Sequence, residues 1–420
     1  MLQAAGRRTA PGLGCVAMLL AAGVQAGNGL NDVGYGSESA GMAGADIAVA
    51  RDTTALNSNP AGLTQIGGRV LDLFVEPYYL DSRHKDEFGN DDTPTNAAGS
   101  GIGGGYAQRL AGTPLVVGVG MFFQGGSGFV YPDLQTAFGT RDELSSIFGS
   151  LKIAPGIAWQ ASEQLSLGAA IGLLYSTARQ KVLYETSTAN FSGSRIDGLA
   201  GFSANIKLGL QYRPDPDWVL ALVYTSKAPL RLENGEMHVN NTGSGGGHVR
   251  YSDVSISGLA FAPEVAVGAR WRASESLQLT AELSWLDWSS SMQSSTLRVG
   301  AADDPEAPAL APIVSPLNWD DQALLSIGGL WRFRPASEFI FGASYARQPI
   351  PSSSLGPTFA LLGEASISAG LIHQLTPTWH FLGSATWQPP VTKHYSNPLF
   401  GKSSERWNAV ALYLTLSRRW

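Results

Sequence analysis

Charge is scarce in this chain of 420 residues: Asp, Glu, Lys and Arg make up 15% of it, against the roughly 25% usual for globular domains. What charge there is runs slightly acidic, 28 basic against 34 acidic residues, and no basic stripe stands out. That argues against a nucleic-acid partner. Cysteine is nearly missing. The single one, Cys15, sits in an apolar stretch near the N-terminus, so the rest of the chain offers no disulfide and no thiolate metal site. Long apolar runs are missing too. No segment after the first 26 residues approaches the ~18 consecutive apolar residues of a membrane-crossing helix. The six histidines (His84, His238, His248, His373, His380 and His394) are scattered and form no metal-ligand spacing. There is no Gly-x-Ser-x-Gly nucleophile elbow. Gly99-Ser100-Gly101-Ile102-Gly103-Gly104 matches a dinucleotide-binding glycine pattern by count alone, because it opens a strand pattern rather than a helix. No enzyme, metal or cofactor is expected.

Glycine (50) and tryptophan (11) are abundant instead. At the N-terminus, Arg7 and Arg8 precede the uncharged stretch Gly12–Ala22, and Val24-Gln25-Ala26 has the small residues of a cleavage site. Residues 1–26 therefore read as a secretory signal peptide. The alternative, a membrane anchor, needs a longer apolar run.

From Arg69 to Trp420 one unit repeats about fourteen times, a strand-length stretch followed by a connection. The strand patterns are Arg69–Tyr79, Gly101–Leu110, Pro114–Gln124, Leu151–Trp159, Gln164–Ser176, Ala200–Tyr212, Trp218–Ser226, Phe261–Trp271, Leu277–Trp288, Ala323–Phe333, Phe339–Gln348, Ser366–Gln374, Trp379–Gln388 and Asn408–Arg418. Connections alternate between short turns, such as Ala111–Thr113 and Ala161–Glu163, and long loops, such as Gly125–Ser150 and Lys227–Ala260. This rhythm predicts an all-β membrane protein, a 14-stranded antiparallel transmembrane β-barrel, with short turns periplasmic and long loops extracellular. A soluble β-sandwich would also alternate apolar and polar residues, but not its loop lengths.

The faces follow the same logic. In Leu277–Trp288, Leu277, Leu279, Ala281, Leu283 and Trp285 alternate with Gln278, Thr280, Glu282 and Ser284. A lysine facing lipid at mid-membrane costs about 2–4 kcal/mol, so Lys207, Glu282, Glu264 and Arg270 are expected in the lumen. Tyr78, Tyr79, Trp218, Tyr224, Trp271, Trp285, Trp288, Trp331, Trp379 and Trp387 fall near strand ends and are expected in aromatic girdles at the headgroup level. Pro155 makes Leu151–Trp159 the least regular strand pattern.

Residues 27–68 differ in kind. They are rich in Gly, Ala and Ser, Ser39–Ala50 suits a short helix, and Asn59-Pro60-Ala61-Gly62 marks a turn. Two placements are open: an N-terminal plug inside the lumen, which a barrel of this size can hold, or a flexible periplasmic tail.

With these residues in view the chain resembles the FadL family of outer-membrane transporters for long-chain fatty acids and other hydrophobic compounds. Ser37-Glu38-Ser39-Ala40-Gly41-Met42-Ala43-Gly44 leading to Asn59-Pro60-Ala61-Gly62 is similar to the family's hatch with its Asn-Pro-Ala motif. Tyr212–Trp218 with Tyr224–Lys227, Leu283–Ser289, Asn318–Asp321 and Ala343–Pro351 are similar to further family segments, in family order. The chain departs from the family at Ser352–Phe359, where Arg and Asp are usual, and at Trp420, where Phe is usual.

The resemblance implies a barrel closed by the hatch, in the outer membrane of a Gram-negative bacterium. It also implies that ligand leaves sideways at a kink of the third strand. Gly118 and Gly120 are the candidates for that kink, with routine packing the alternative. The expected partners are a hydrophobic small molecule, outer-membrane lipid and lipopolysaccharide, and the barrel-assembly machinery acting on the last strand; a monomer is expected.

Phe129, Tyr131, Leu134, Phe138, Leu144, Ile147 and Phe148 crowd the long second loop, whose part Asp133–Phe148 suits a helix. They are the candidate capture groove, or else they pack that loop onto the barrel. A fatty-acid carboxylate would call for Lys207, Arg270 or Lys152 in the lumen. The function expected is passive uptake of long-chain fatty acids or other hydrophobic compounds. Alkanes and monoaromatic hydrocarbons are alternatives by the same route, and a polar-solute porin is the alternative of a different class.

Overall fold

The computed structural model describes residues 29–420, so the expected signal peptide lies outside the described residues. Alternation of apolar and small polar residues lets each wall strand meet lipid on one side and the lumen on the other. Fourteen such strands form the wall: β1 (Arg69–Leu80), β2 (Ala98–Arg109), β3 (Leu115–Gln135), β4 (Arg141–Gln160), β5 (Leu165–Thr188), β6 (Phe191–Tyr212), β7 (Trp218–Thr225), β8 (Glu264–Arg272), β9 (Leu277–Leu286), β10 (Gln322–Arg334), β11 (Ser337–Ala346), β12 (Ala365–Gln374), β13 (Trp379–Asn397) and β14 (Gly401–Arg419). Each pairs antiparallel with the next. β1 then pairs with β14 from Val70↔Arg419 to Leu80↔Ala409. Arg69 and Trp420 exchange two backbone hydrogen bonds, of 2.8 and 3.1 Å, which close the barrel.

The faces are as the alternation requires. Phe202, Ile206 and Leu208 of β6, Leu283 and Trp285 of β9, and Leu412, Leu414, Leu416 and Trp420 at the end of β14 are exposed on the outside. Lys207, Glu282, Tyr413, Thr415 and Ser417 are buried on the inside. Tyr79 and Trp387 both stand level with Val410, and Tyr224 and Trp285 both stand level with Val265, near the long end of the barrel. Trp218 and Trp271 stack 6.0 Å apart at the short-turn end.

Several expectations need correction. Tyr78 is not a girdle residue. It shares the parity of the luminal carboxylates Asp72 and Glu76 and packs on Ala40, Ala411 and Tyr413. Trp288 is fully buried above the barrel against Trp319, with ring centroids 5.1 Å apart. The long connections are largely strand. Gly125–Ser150 is the upper part of β3 and β4, turned at 136–140, so Asp133–Phe148 is not helical. The connection at Thr177–Leu199 is likewise strand turned at 189–190, and Lys227–Ala260 holds a hairpin of Ala228–Asn240 and His248–Phe261. Pro155 sits mid-strand opposite Val119, and the ladder to β5 lapses at Ala154 and Pro155 before resuming at Gly156↔Ala170. Proline has no N–H to give that ladder.

Residues 33–66 pack against the inner face of the wall. A short helix α1 spans Gly36–Gly41 rather than the expected Ser39–Ala50, and 3₁₀ turns follow at Thr53–Leu56 and Pro60–Gln65. From Val33 to Ile66 every residue except Arg51 and Gln65 is buried. Ser37 Oγ and Thr415 Oγ1 lie 2.8 Å apart, Thr53 donates to Asp72, and Arg51 bridges Glu38 (2.7 Å) to Glu338 of the wall (2.6 Å).

Candidate functional site

The Asn-Pro-Ala-Gly turn seats the N-terminal segment against the wall. Asn59 Oδ1 accepts from Ala61 N–H (3.1 Å) and so caps the 3₁₀ turn that Pro60 opens. Its Nδ2 donates to the carbonyls of Ile47 (2.8 Å) and of Leu210 in β6 (3.2 Å). The wall makes room with glycine: a Cβ at Gly209 would fall 2.0 Å from Asn59 Oδ1, and one at Gly168 2.3 Å from Ala61 N. Gly62 meets the segment itself, since a Cβ there would fall 2.0 Å from the Ala50 carbonyl.

Between segment and wall remains a cavity of about 70 Å³, lined by Asp32, Asp46, Lys152, Lys207, Glu264 and Glu282 among other residues. Lys152 Nζ donates to Asn57 Oδ1 at 2.6 Å, and Lys207 Nζ stands 3.8 Å from Glu264. Glu282 accepts from the backbone N–H groups of Asp46 and Ile47. Two of the three candidate carboxylate binders thus meet in one cavity. Arg270 does not join them; it sits level with Thr280 and Val219, toward the short-turn end.

The ladder between β2 and β3 stops at Gly104↔Met121. Above it, residues 98–103 of β2 have no partner in β3. The strands meet again only where Thr95 N–H and Asn96 reach Val130 and Gly128. At about 3.3 Å per residue this seam is roughly 20 Å tall. Just beyond the end of that ladder, on its β4 side, β3 carries a β-bulge between Phe123 and Gly125 that makes Gln124 an extra residue. The N-terminal segment holds Gln124 from inside. Its Nε2 donates to Tyr35 Oη (2.6 Å), its carbonyl accepts from Tyr35 Oη (3.4 Å), and its Oε1 accepts from Asn57 (3.2 Å). Asn57 is the residue that Lys152 donates to, so Tyr35, Gln124, Asn57 and Lys152 form one chain of contacts. Leu30 lies against the same bulge, its carbonyl 2.3 Å from where a Cβ on Gly125 would be.

Above the lumen the long hairpins pack into an apolar cap. Phe129, Tyr131, Leu134, Leu144 and Phe148 are buried there with Leu30, Leu174, Phe261, Trp319, Phe400 and Trp407. Phe138 is 36% exposed and stacks on Phe191 at 4.6 Å, and Ile147 is half-buried. Among these residues the structure has a packed core rather than an open groove. Inside the cap lies a polar cluster that sequence spacing does not reveal. His84 is fully buried, with Nδ1 2.5 Å from Glu405 and Nε2 3.1 Å from Asp86. Tyr395 Oη donates to Glu405 at 2.7 Å. Burial alone would push the His84 pKa down, but the carboxylates on both ring nitrogens outweigh it and raise it to about 9.

The family model of outer membrane protein transport proteins (OMPP1/FadL/TodX) matches residues 15–380. The chain belongs to this family. The solved structure of the P. putida toluene transporter TodX is similar to it, with a TM-score of 0.74 at 15% identity, covering 92% of this chain and 99% of TodX. The Ralstonia pickettii toluene transporter TbuX scores 0.76 at 18% identity, again covering 92% and 99%. A Pseudomonas aeruginosa FadL homologue scores 0.73 at 14% identity with the same coverage. No curated protein sequence matches the chain. As a member of the FadL/TodX family it is an outer-membrane β-barrel of a Gram-negative bacterium, in a family that transports hydrophobic compounds.

Within that frame the third strand needs a correction of place. Gly118 and Gly120 lie in unbroken ladders, Gly118 between Ala107 and Gly156 and Gly120 between Gly105 and Ala154. The departure falls four to six residues later, at Gln124. The residue types around it gave a usable signal, since Gly125, Gly126 and Gly128 follow in quick succession.

Asn59→Ala removes three hydrogen bonds and strands buried groups, at about 1–3 kcal/mol each. The variant reconstituted in planar bilayers is expected to show a raised, flickering ionic conductance; a trace like that of the native protein would contradict this seating. The His84 cluster sets a pH window. With a folded pKa of about 9, above the ~6.5 of free imidazole, its stabilisation is complete below about pH 6.5 and is lost as pH rises through about 9. Amide exchange in residues 83–86 should accelerate between pH 7 and 10, after correction for intrinsic rates. In His84→Gln that additional acceleration should vanish.

Proposed function

We propose that the protein carries neutral hydrophobic compounds passively from the cell surface into the outer membrane. On this reading cargo enters through the apolar cap, reaches Leu30, and leaves sideways through the β2–β3 seam when the N-terminal plug releases Gln124. The observation that carries the reading is that seam: a stretch of wall where β2 and β3 share no ladder bonds and where Gln124 of β3 is held by Tyr35 and Asn57 of the N-terminal segment. Through-lumen passage is poorly supported. A cavity of about 70 Å³ is smaller than the ~150 Å³ that holds benzene in an engineered apolar site, and its walls are charged.

The charges also bear on cargo class. Asp32, Asp46, Glu264 and Glu282 line the cavity against two amines, Lys152 and Lys207. Lys152 is already engaged by Asn57. An anionic head would find four carboxyl groups there and two amines, one of them already engaged; toluene or an alkane has no charge to place. TodX and TbuX are toluene transporters by name, which agrees with a neutral cargo. A second reading, long-chain fatty-acid anions, has one observation in its favour. Lys207 is 3.8 Å from Glu264, longer than the 2.7–2.9 Å typical of a charge-assisted hydrogen bond, so it is the amine most open to a carboxylate.

Labelled toluene and labelled oleate offered to cells with and without the chain separate these readings. Chain-dependent toluene uptake, with little oleate uptake, is expected. Oleate uptake abolished by Lys207→Met would favour the fatty-acid reading. Equal uptake in both strains for both probes would refute transport, and large steady ionic currents would favour a polar-solute porin.

A further inference from the structure

The wall has a second ladder break, far from the plug's bulge. β6 and β7 pair from Tyr212↔Leu220 up to Lys207↔Thr225, and Ser226 N–H closes on Ile206 carbonyl at 2.8 Å. Higher up, β6 pairs instead with the Ala228–Asn240 strand, beginning at Ala200↔Glu233. Between these points residues 201–205 have no ladder partner on that side, because 228–232 turn away to pair with 256–261. Ile206 turns both its N–H and its C=O to Ser226, so by the period of two Phe202 and Ala204 present theirs to the same side.

A groove of about 520 Å³ opens on the outer face at the top of this break, lined by Tyr175, Gly201, Phe202, Arg231 and Glu233 among others. Its floor is apolar: Phe202 is 79% exposed and lies 4.9 Å from the Tyr175 ring. Its height is fixed by β5, whose outward column runs Ile171, Leu173, Tyr175 and then turns polar at Thr177 and Arg179. The two rings therefore stand where hydrocarbon ends and headgroups begin. Above them most outward charges are matched. Lys181 pairs with Glu143, Arg195 with Asp197 and Arg250 with Glu236. Arg179 and Arg231 are exposed and, among the described residues, neither has an ion-pair partner. Glu233 shares the groove without coming within ion-pair distance of either.

We infer that this groove is a binding site for one phosphate-bearing lipid of the outer leaflet, with an acyl chain on Phe202 and Tyr175 and the phosphate between Arg231 and Arg179. The membrane itself supplies the occupant, since a concave face at this height cannot be empty. Two unmatched guanidiniums above an apolar floor complement an anionic headgroup on a chain. Headgroup hydroxyls also satisfy the backbone edge at Phe202 and Ala204, which hydrocarbon would leave unpaired.

The test is native mass spectrometry of the full chain purified from outer membranes, with thermal melting in detergent on adding lipid A, dephosphorylated lipid A or inorganic phosphate. One retained phosphorylated lipid per barrel is expected, and a melting temperature raised by lipid A alone. Arg179→Ala/Arg231→Ala should weaken retention by about fivefold per arginine removed, with heat-modifiable mobility and toluene uptake as controls for folding. Phe202→Ala, which touches no charge, should weaken retention as well and serves if the double variant does not fold. Unchanged retention in both variants would overturn the site. So would equal stabilisation by dephosphorylated lipid A, which would mean an apolar surface only, or by inorganic phosphate, which would mean an ion site only.

Discussion

A backbone N–H or C=O facing hydrocarbon must find a partner within the protein, and this one constraint organises the molecule. It forces the sheet to close, which Arg69 and Trp420 do with two reciprocal hydrogen bonds. It also makes any lapse in the ladder conspicuous. At the β2–β3 seam the ladder ends at Gly104↔Met121, and just beyond it side chains from the N-terminal segment hold Gln124 of β3. Opening a seam of this kind breaks no row of strand bonds. It asks only for the Tyr35–Gln124–Asn57 contacts, at about 1 kcal/mol for each hydrogen bond exchanged for water.

The same segment joins two environments of opposite character. Leu30, at its start, belongs to the apolar cap and lies on the bulge. A few residues on, Asp46 and the backbone of Ile47 meet Glu282, and Arg51 ties Glu38 to Glu338. On the proposed route an apolar solute descending from the cap would be at home beside the seam and unwelcome below it.

How much of this was legible depends on what the lipid does to a sequence. Inside the bilayer the two faces of a strand differ, so all fourteen wall strands and the luminal side of Lys207, Glu264 and Glu282 follow from alternation. Above the bilayer both faces meet protein or water, alternation fades, and the upper halves of β3 to β6 read as loops. Tyr78 was readable, since Asp72 and Glu76 fix the inward parity of β1. Its ring chemistry pointed the other way. The pairing of His84 with Glu405 joins residues 321 apart, and only closure of the barrel brings them together. The bulge has no period: one extra residue shifts the register locally, and only the glycines after Gln124 (Gly125, Gly126 and Gly128) mark the place in the sequence.

The central claim is that cargo leaves through the β2–β3 seam. A Cβ built on Gly101 would stand 3.5 Å from that of Phe123 across the seam, within the range a disulfide spans. In a Cys15→Ser background, Gly101→Cys/Phe123→Cys should form a cross-link that holds the two strands together. Toluene uptake by cells carrying the oxidised protein should fall to the level of cells lacking it and return on reduction. Full uptake with the cross-link intact would contradict lateral exit.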